Sequence, residues 1–450
     1  MRGGRLGVLV AVLVLAGALP ALASGFSVFE QSAKASGQAG AWVARADDVA
    51  ANWYNPAALT RLDGTHVQFG FSLITIGIDT KLNATDPAWL ALVGEDTSQT
   101  YKTKQETGTP IHLYVGTHIS DRLAFGFGLT APFGLSTQWT DRPVTYSSKR
   151  VELVTLVANP NLAFEINDKW SVALGIDYMW ADVSEFSKEF DQSALLGLDP
   201  GTVVGQSNLT GDGNAWGWNV ATHFKSDPWT FGLTYRSALS PEIKGNVAFT
   251  GVYPALSALF PNGPGKTTVD LPAEAAIGVG YQLNDKWQLE GDISYAQWSS
   301  FEKLFLDFEN ETSLPPPAEG YPRIPVVADI TQMENWKDTY ALRVGAAWKV
   351  VEKQEVRFGA LWDTNPIPDE NLRPSIPDGD RWSVTLGYGY TGKSFTIDAY
   401  YMPLFFQSRN AKGAATGKPS TNPYQMVDGV IDGSYESFIH LFGASLTWRF

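Results

Sequence analysis

Along most of the chain, apolar and polar residues take turns. Trp170, Val172, Leu174, Ile176, Tyr178 and Trp180 are separated by Ser171, Ala173, Gly175, Asp177 and Met179. The same period recurs at Trp229, Phe231, Leu233 and Tyr235, at Trp287, Leu289, Ile293 and Tyr295, and at Trp382, Val384, Leu386, Tyr388 and Tyr390. The final residues place Phe442, Ala444, Leu446, Trp448 and Phe450 on one face. A strand exposes successive side chains on opposite faces, so this pattern predicts strands with one apolar and one polar side. Short polar turns recur around Asp121, Asp168, Asp227, Asp285, Lys353 and Gly392. Between them run long connections rich in Pro, Gly and Asp: about 79–100, 140–150, 187–215, 250–266, 309–334, 363–380 and 408–436. Six short turns and seven long loops imply fourteen strands, with both ends on the short-turn side.

The apolar faces open and often close on Trp or Tyr, as aromatic girdles at two bilayer interfaces would. The opposite faces carry Ser, Thr, Gly, Asp and Glu, which suit a wet or plugged lumen and not a dry sandwich core. A 14-stranded antiparallel outer-membrane β-barrel is therefore expected over residues 65–450. This accounts for a 450-residue chain with 16 Trp and 43 Gly, in which only 18% of residues are charged. Arg2 and Arg5, the apolar run from Val8 to Ala18 and Ala21-Leu22-Ala23 read as a secretory signal peptide over 1–23. The aromatic terminus at Phe450 is the kind of end that the barrel-assembly machinery engages. The expected surroundings are outer-membrane lipid and lipopolysaccharide, with the barrel a monomer.

Residues 24–64 are Ala/Gly-rich and do not alternate, so they are expected to form a small helical hatch inside the lumen. Asn55 is a candidate N-cap with Pro56 at the first helical position. Asp47 and Asp48 are expected to join a network of inward charges comprising Arg236, Glu290, Asp292, Arg343, Arg381 and Asp398, whose ion pairs would hold the hatch and cross-brace the lumen, a polar path for solutes being the alternative. A net charge of −14 argues against nucleic acid, and the absence of cysteine excludes disulfides and thiolate metal sites. The five His show no metal-ligand spacing, and no nucleophile elbow appears. Residues 387–392 match G-x-G-x-x-G but lie on an alternating strand with no helix after them. Neither an enzyme nor a cofactor is expected.

With these elements in place, the chain resembles the FadL-type long-chain fatty acid transporters. The resemblance rests on Gly25-Phe26 with Glu30, on Gly37, Gly40, Asp47-Asp48 and Asn55-Pro56-Ala57, and on Pro132-Phe133-Gly134-Leu135. It continues through Leu233 to Ser237, Leu271-Pro272, Trp298-Ser299, Lys337 to Tyr340 and Ile376-Pro377-Asp378. It implies capture of a hydrophobic compound at outer loops, transfer to a lumen pocket near Phe26, and lateral release through a kinked third strand. Pro132 and Gly134, in the middle of that strand, fit a break, because Pro lacks the ladder N–H and Gly weakens the strand. Leu256 and Phe260, with Tyr253, Leu259, Leu195, Leu196 and Leu198, would build the outer capture surface. Lys188 and Lys337 are the candidate partners of a fatty carboxylate. The basic residues around them are sparse, so an aromatic or alkane hydrocarbon channel stays open, as does a structural or adhesive barrel.

Overall fold

The structure is a computed structural model that describes residues 25–82, 99–316, 323–411 and 433–450. The expected signal peptide lies outside the described residues, as do 83–98 and 412–432 within two of the long connections. Among the described residues, fourteen strands form one antiparallel ring. β1 (Thr65–Leu82) is followed by β2 (Ile111–Ser120), and β3 comes in two pieces, Leu123–Thr130 and Gly134–Gln138. β4 (Arg150–Asn167), β5 (Trp170–Asp191) and β6 (Val204–Ser226) are long and continuous. The next four are interrupted: β7 (Trp229–Arg236, Glu242–Thr250), β8 (Gly263–Thr268, Glu274–Gln282), β9 (Trp287–Ala296, Lys303–Phe308) and β10 (Ile330–Met333, Thr339–Val351). β11 (Gln354–Asp363), β12 (Arg381–Thr391), β13 (Phe395–Phe406) and β14 (Gly433–Arg449) complete the ring. It closes where β1 pairs with β14, from His66–Arg449 to Leu82–Gly433.

The alternation becomes the two faces of the wall. Leu174, Ile176, Trp216, Leu233, Ile277, Leu386 and Phe442 point outward and are exposed, whereas Ser171, Asp177, Ser383 and Thr385 face inward and are buried. From Trp170 to Trp180, roughly 3.3 Å per residue and ~40° of tilt give a climb of about 25 Å, the height of a barrel's apolar band. Aromatic pairs mark both rims: Trp229–Tyr281 and Trp287–Trp348 beside the short turns, and Tyr178–Trp216 and Trp382–Phe405 at the other end. One expectation is corrected. The connection read as a loop over 187–215 is largely strand, because β5 and β6 stay paired as far as Asp191 and Val204. Above the lipid both faces are mixed, so pairing continues after alternation has ended.

Residues 25–64 lie inside the ring. They contain α1 (Ala33–Ser36), α2 (Ala51–Tyr54) and a 3-10 turn, Pro56–Arg61, with Asn55 capping the Ala57 N–H at 3.2 Å. Wall carboxylates grip the backbone of this segment. Asp292 accepts from the N–H groups of Trp42 (2.7 Å) and Val43 (2.9 Å), and Glu290 accepts from Ala44 (2.7 Å) and Arg45 (2.9 Å). The Arg45 side chain pairs with Glu355 and with Asp47, which also takes Lys34. Asp48 accepts from the Ala50 N–H and from Gln68. Of the other inward charges, Arg236 pairs with Asp177, Arg381 with Asp363 and Asp398 with Arg357, while Arg343 donates to Ser294 and covers the Phe29 ring. Close approach explains lumen-face glycines such as Gly126, where a Cβ would collide with the Asn52 amide.

Asp292→Ala leaves two buried N–H groups without partners, which should cost about 3 kcal/mol. We expect the inner segment of that variant to be cut readily by protease while the barrel keeps its heat-modifiable migration on SDS gels. Equal protease resistance would show that the carboxylate is not the anchor.

Candidate ligand path

β3 is interrupted where the sequence places Pro132 and Gly134. The lower piece pairs with both neighbours, whereas the upper piece pairs with β4 and, on its other side, is met only at its end, where the Lys104 N–H donates to Gln138 O at 2.8 Å. Residues 131–133 of β3 oppose only 155–156 of β4, so the strand bulges and leaves β2. The first described residues of the chain fill the break from inside. The Val28 N–H donates to Pro132 O at 2.7 Å, and the Gly134 N–H donates to Phe26 O at 3.1 Å. Gly25 has φ +61°, and a Cβ there would come within 2.7 Å of Trp336, so glycine suits this position. Its N–H donates to the Asp378 carboxylate at 2.9 Å.

Phe26 sits in an aromatic cage. Ring centroids of Trp298, Trp336, Phe133 and Phe301 lie 5.1, 5.8, 6.2 and 6.4 Å away. Two cavities meet at this residue. One, of about 650 Å³, lies at the break and is lined by Ile74, Ile76, Phe133, Gly134, Leu404 and Ile439, with Lys104, Arg150 and Arg381 among its polar residues. The other, of about 120 Å³, is lined by Val183, Phe186, Val247, Val269, Leu306 and Phe308. Phe26, Leu135, Leu153 and Ile376 line both. The smaller chamber joins an outer cluster in which Phe260 stacks on Phe190 at 4.7 Å and Leu256 packs alongside.

Phe26, Phe133 and Gly134 are thus brought together, and Pro132 lines a neighbouring cavity of about 130 Å³ on the inner side of Val28. Leu256 and Phe260 line neither cavity and pack in the outer apolar cluster beside the smaller one. Lys188 is half-buried on the β5 face that carries Phe186 and Phe190, but lines neither of the two main cavities. Lys337 is exposed and outside both. Asp47, Asp48, Asn55 and Pro56 sit in the anchored part of the inner segment, away from the break. Sequence reasoning passed over Lys104, whose ammonium has no ion pair among the described residues. Arg150 is surrounded by Glu106, Glu152 and Glu185, and Arg381 is held by Asp363.

Glu30 lines the larger cavity at 4% exposure. Burial lifts its carboxyl to about 7, against the lowering influence of Arg381 and Arg343 and with Asp363 adding to the rise. Burial likewise lifts Asp378 to about 6. A carboxyl that titrates higher in place than its ordinary 4.5 takes up a proton on docking. Its docked state is therefore favoured most below pH 4.5, and the advantage is lost as pH rises through 7, by roughly 3 kcal/mol in the limit. We expect labelling of Ser27→Cys to speed up from pH 6 to pH 8, relative to Gly108→Cys, and Glu30→Gln to flatten that profile. An unchanged slope in Glu30→Gln would remove Glu30 from the account.

Comparison with known proteins agrees with this architecture. The chain is 25% identical to a putative outer membrane protein of Neisseria meningitidis, over 95% of each chain. It is 24% identical to the long-chain fatty acid transport protein of Escherichia coli K12, over 98% of each. A Pseudomonas aeruginosa FadL homologue superposes with TM-score 0.79 at 22% identity, covering 95% of this chain and 100% of that one. The Pseudomonas putida toluene transporter TodX gives 0.66 at 16%, covering 96% and 99%. The model of the outer membrane protein transport protein family (OMPP1/FadL/TodX) matches residues 14–450. The chain belongs to that family: it is an outer-membrane transporter of hydrophobic compounds and not an enzyme.

Proposed function

We propose that the protein takes up long-chain fatty acids passively, from the outer cluster through the smaller chamber, past Phe26 and out sideways at the break in β3. The observation that carries this reading is that Phe26, with Leu135, Leu153 and Ile376, lines both cavities, so its withdrawal opens one toward the other. A cavity of about 650 Å³ is within the roughly 300–1,000 Å³ that suits ligands of this size. Its apolar lining suits an acyl chain, and Lys104, which has no ion pair among the described residues, offers a cation to a carboxylate. The E. coli relative is named for long-chain fatty acid transport, which fits. A second reading, aromatic hydrocarbon uptake, is favoured by the smaller chamber, where Phe186, Phe301 and Phe308 line a space of only about 120 Å³. The relative TodX is named a toluene transporter.

Lys104→Met separates the two. On the fatty acid reading it should raise the half-saturating concentration for oleate about 3- to 10-fold and leave toluene uptake unchanged. Equal oleate uptake in the variant would remove the carboxylate contact. Gly134 tests what makes the break. A Cβ there would meet only Leu153 O at 3.8 Å and Val28 Cγ2 at 4.0 Å, which is ordinary contact. Gly134→Ala is therefore expected to transport within two-fold of the wild type in whole-cell uptake. A large loss would mean that glycine's freedom is needed during passage.

A further inference from the structure

The polar groups released by the break have a full set of partners, and two of these partners are side chains. The Gln31 amide donates to Ala131 O at 3.0 Å and accepts from the Ala131 N–H at 3.3 Å. Thr155 Oγ1 donates to Phe133 O at 2.7 Å and accepts from the Phe133 N–H at 3.1 Å. Each side chain reproduces the paired donor and acceptor that a neighbouring strand would present to one residue. Pro132 has no N–H, and its carbonyl is taken by Val28. Gln31 is itself fixed: its N–H donates to Tyr54 Oη at 3.1 Å, its carbonyl accepts from Tyr114 Oη at 2.9 Å, and it is 1% exposed. Tyr54 also donates to Phe29 O at 2.7 Å. The residues before Phe29 are held through their own backbone groups by four hydrogen bonds: the Val28 N–H to Pro132 O, the Gly134 N–H to Phe26 O, the Gly25 N–H to the Asp378 carboxylate and Gln31 Nε2 to Val28 O.

We propose that Gln31 and Thr155 are positioning residues that hold the opening in β3 by standing in for strand pairing, and that Gln31 is the fixed end about which residues 25–28 leave. The lip of the opening then keeps its shape after Val28 and Phe26 withdraw, because Ala131 and Phe133 do not depend on them. Without Thr155, residues 131–133 lose the partners that keep them off the regular register, and they close toward β2. This rests on the sideways-release reading above, and the test separates the two.

The chain has no cysteine, so single-cysteine reporters are clean. Gly108 is on the facing lip, where a Cβ meets nothing within 4 Å. In full-length protein carrying Gly108→Cys and reconstituted in liposomes, labelling by a bilayer-partitioned maleimide reads the opening. Oleate and toluene uptake reads transport. Thr155→Val and Gln31→Met should each cut labelling at least 5-fold with unchanged heat-modifiable migration, while Thr155→Ser, which keeps the hydroxyl, stays within two-fold. Wild-type labelling in Thr155→Val overturns the proposal, and so does an equal fall in Thr155→Ser. If Thr155→Val does not fold, Gln31→Met and Thr155→Ser decide by the same criteria. Reduced labelling with undiminished uptake would uphold the positioning role and sink sideways release instead.

Discussion

A wall in hydrocarbon must satisfy every backbone N–H and C=O from within the protein, because lipid offers no partner. The closed ladder from β1 to β14 meets this demand at once for most of the chain. Any opening must meet it again, residue by residue. At 131–133 the demand is met by a proline that brings no N–H, by two side chains and by the Val28 N–H. The interruptions of β7, β8 and β9 are bridged by backbone groups, with Leu239 exchanging hydrogen bonds with Leu271 and Gln297 donating to Ala273 O. A gap of this kind is built from paired groups, so it is as specific as the strands around it.

The same accounting divides the inner segment into two regions of different strength. From Ser32 onward, buried carboxylates and guanidinium groups hold it, and hydrogen bonds to charged groups contribute about 1.5–3 kcal/mol each against 0.5–1.5 for neutral ones. Four such bonds run from the backbone of Trp42 to Arg45 into Asp292 and Glu290 alone. The first residues, 25–28, have neutral backbone bonds, one contact to Asp378 and the packing of Phe26. Local opening concentrates where stabilising contacts are fewest and weakest. The anchored base and the loosely held start therefore follow from the types of partner each region has.

Much of the fold was legible because barrel strands carry their environment in a period of two. The strand count, the short turns and the break at Pro132 were all readable from residue order. The upper ends of β5 and β6 were not, since outside the lipid a strand has no apolar face to announce it. The site was half legible. Phe26, Phe133 and Phe260 stand out as aromatics, yet Gln31 and Thr155 look like any polar residues until the chain is folded and their partners can be counted. Lysines gave the weakest signal. Lys188, Lys337 and Lys104 are chemically alike, and only the third lines the larger cavity.

On the proposed path no energy source is needed, because the contest at Phe26 is between like interactions. Burying a phenyl side chain contributes about 1.5–3 kcal/mol, and a ligand chain of several methylenes offers about 0.8 kcal/mol for each one it buries. An acyl chain in the smaller chamber can thus replace the contact that Phe26 gives up with Phe301. The remaining cost, which sets the balance between the docked and undocked start, is the neutral hydrogen bonds at residues 25–28 and the Gly25 bond to the Asp378 carboxylate. A ligand shifts such an equilibrium only by its preference for one state. A compound that fills the chamber only when Phe26 is out has that preference, and a charged head at the rim adds nothing to it. Chain length would then govern the opening, and the cation at Lys104 would govern which chains are retained long enough to use it.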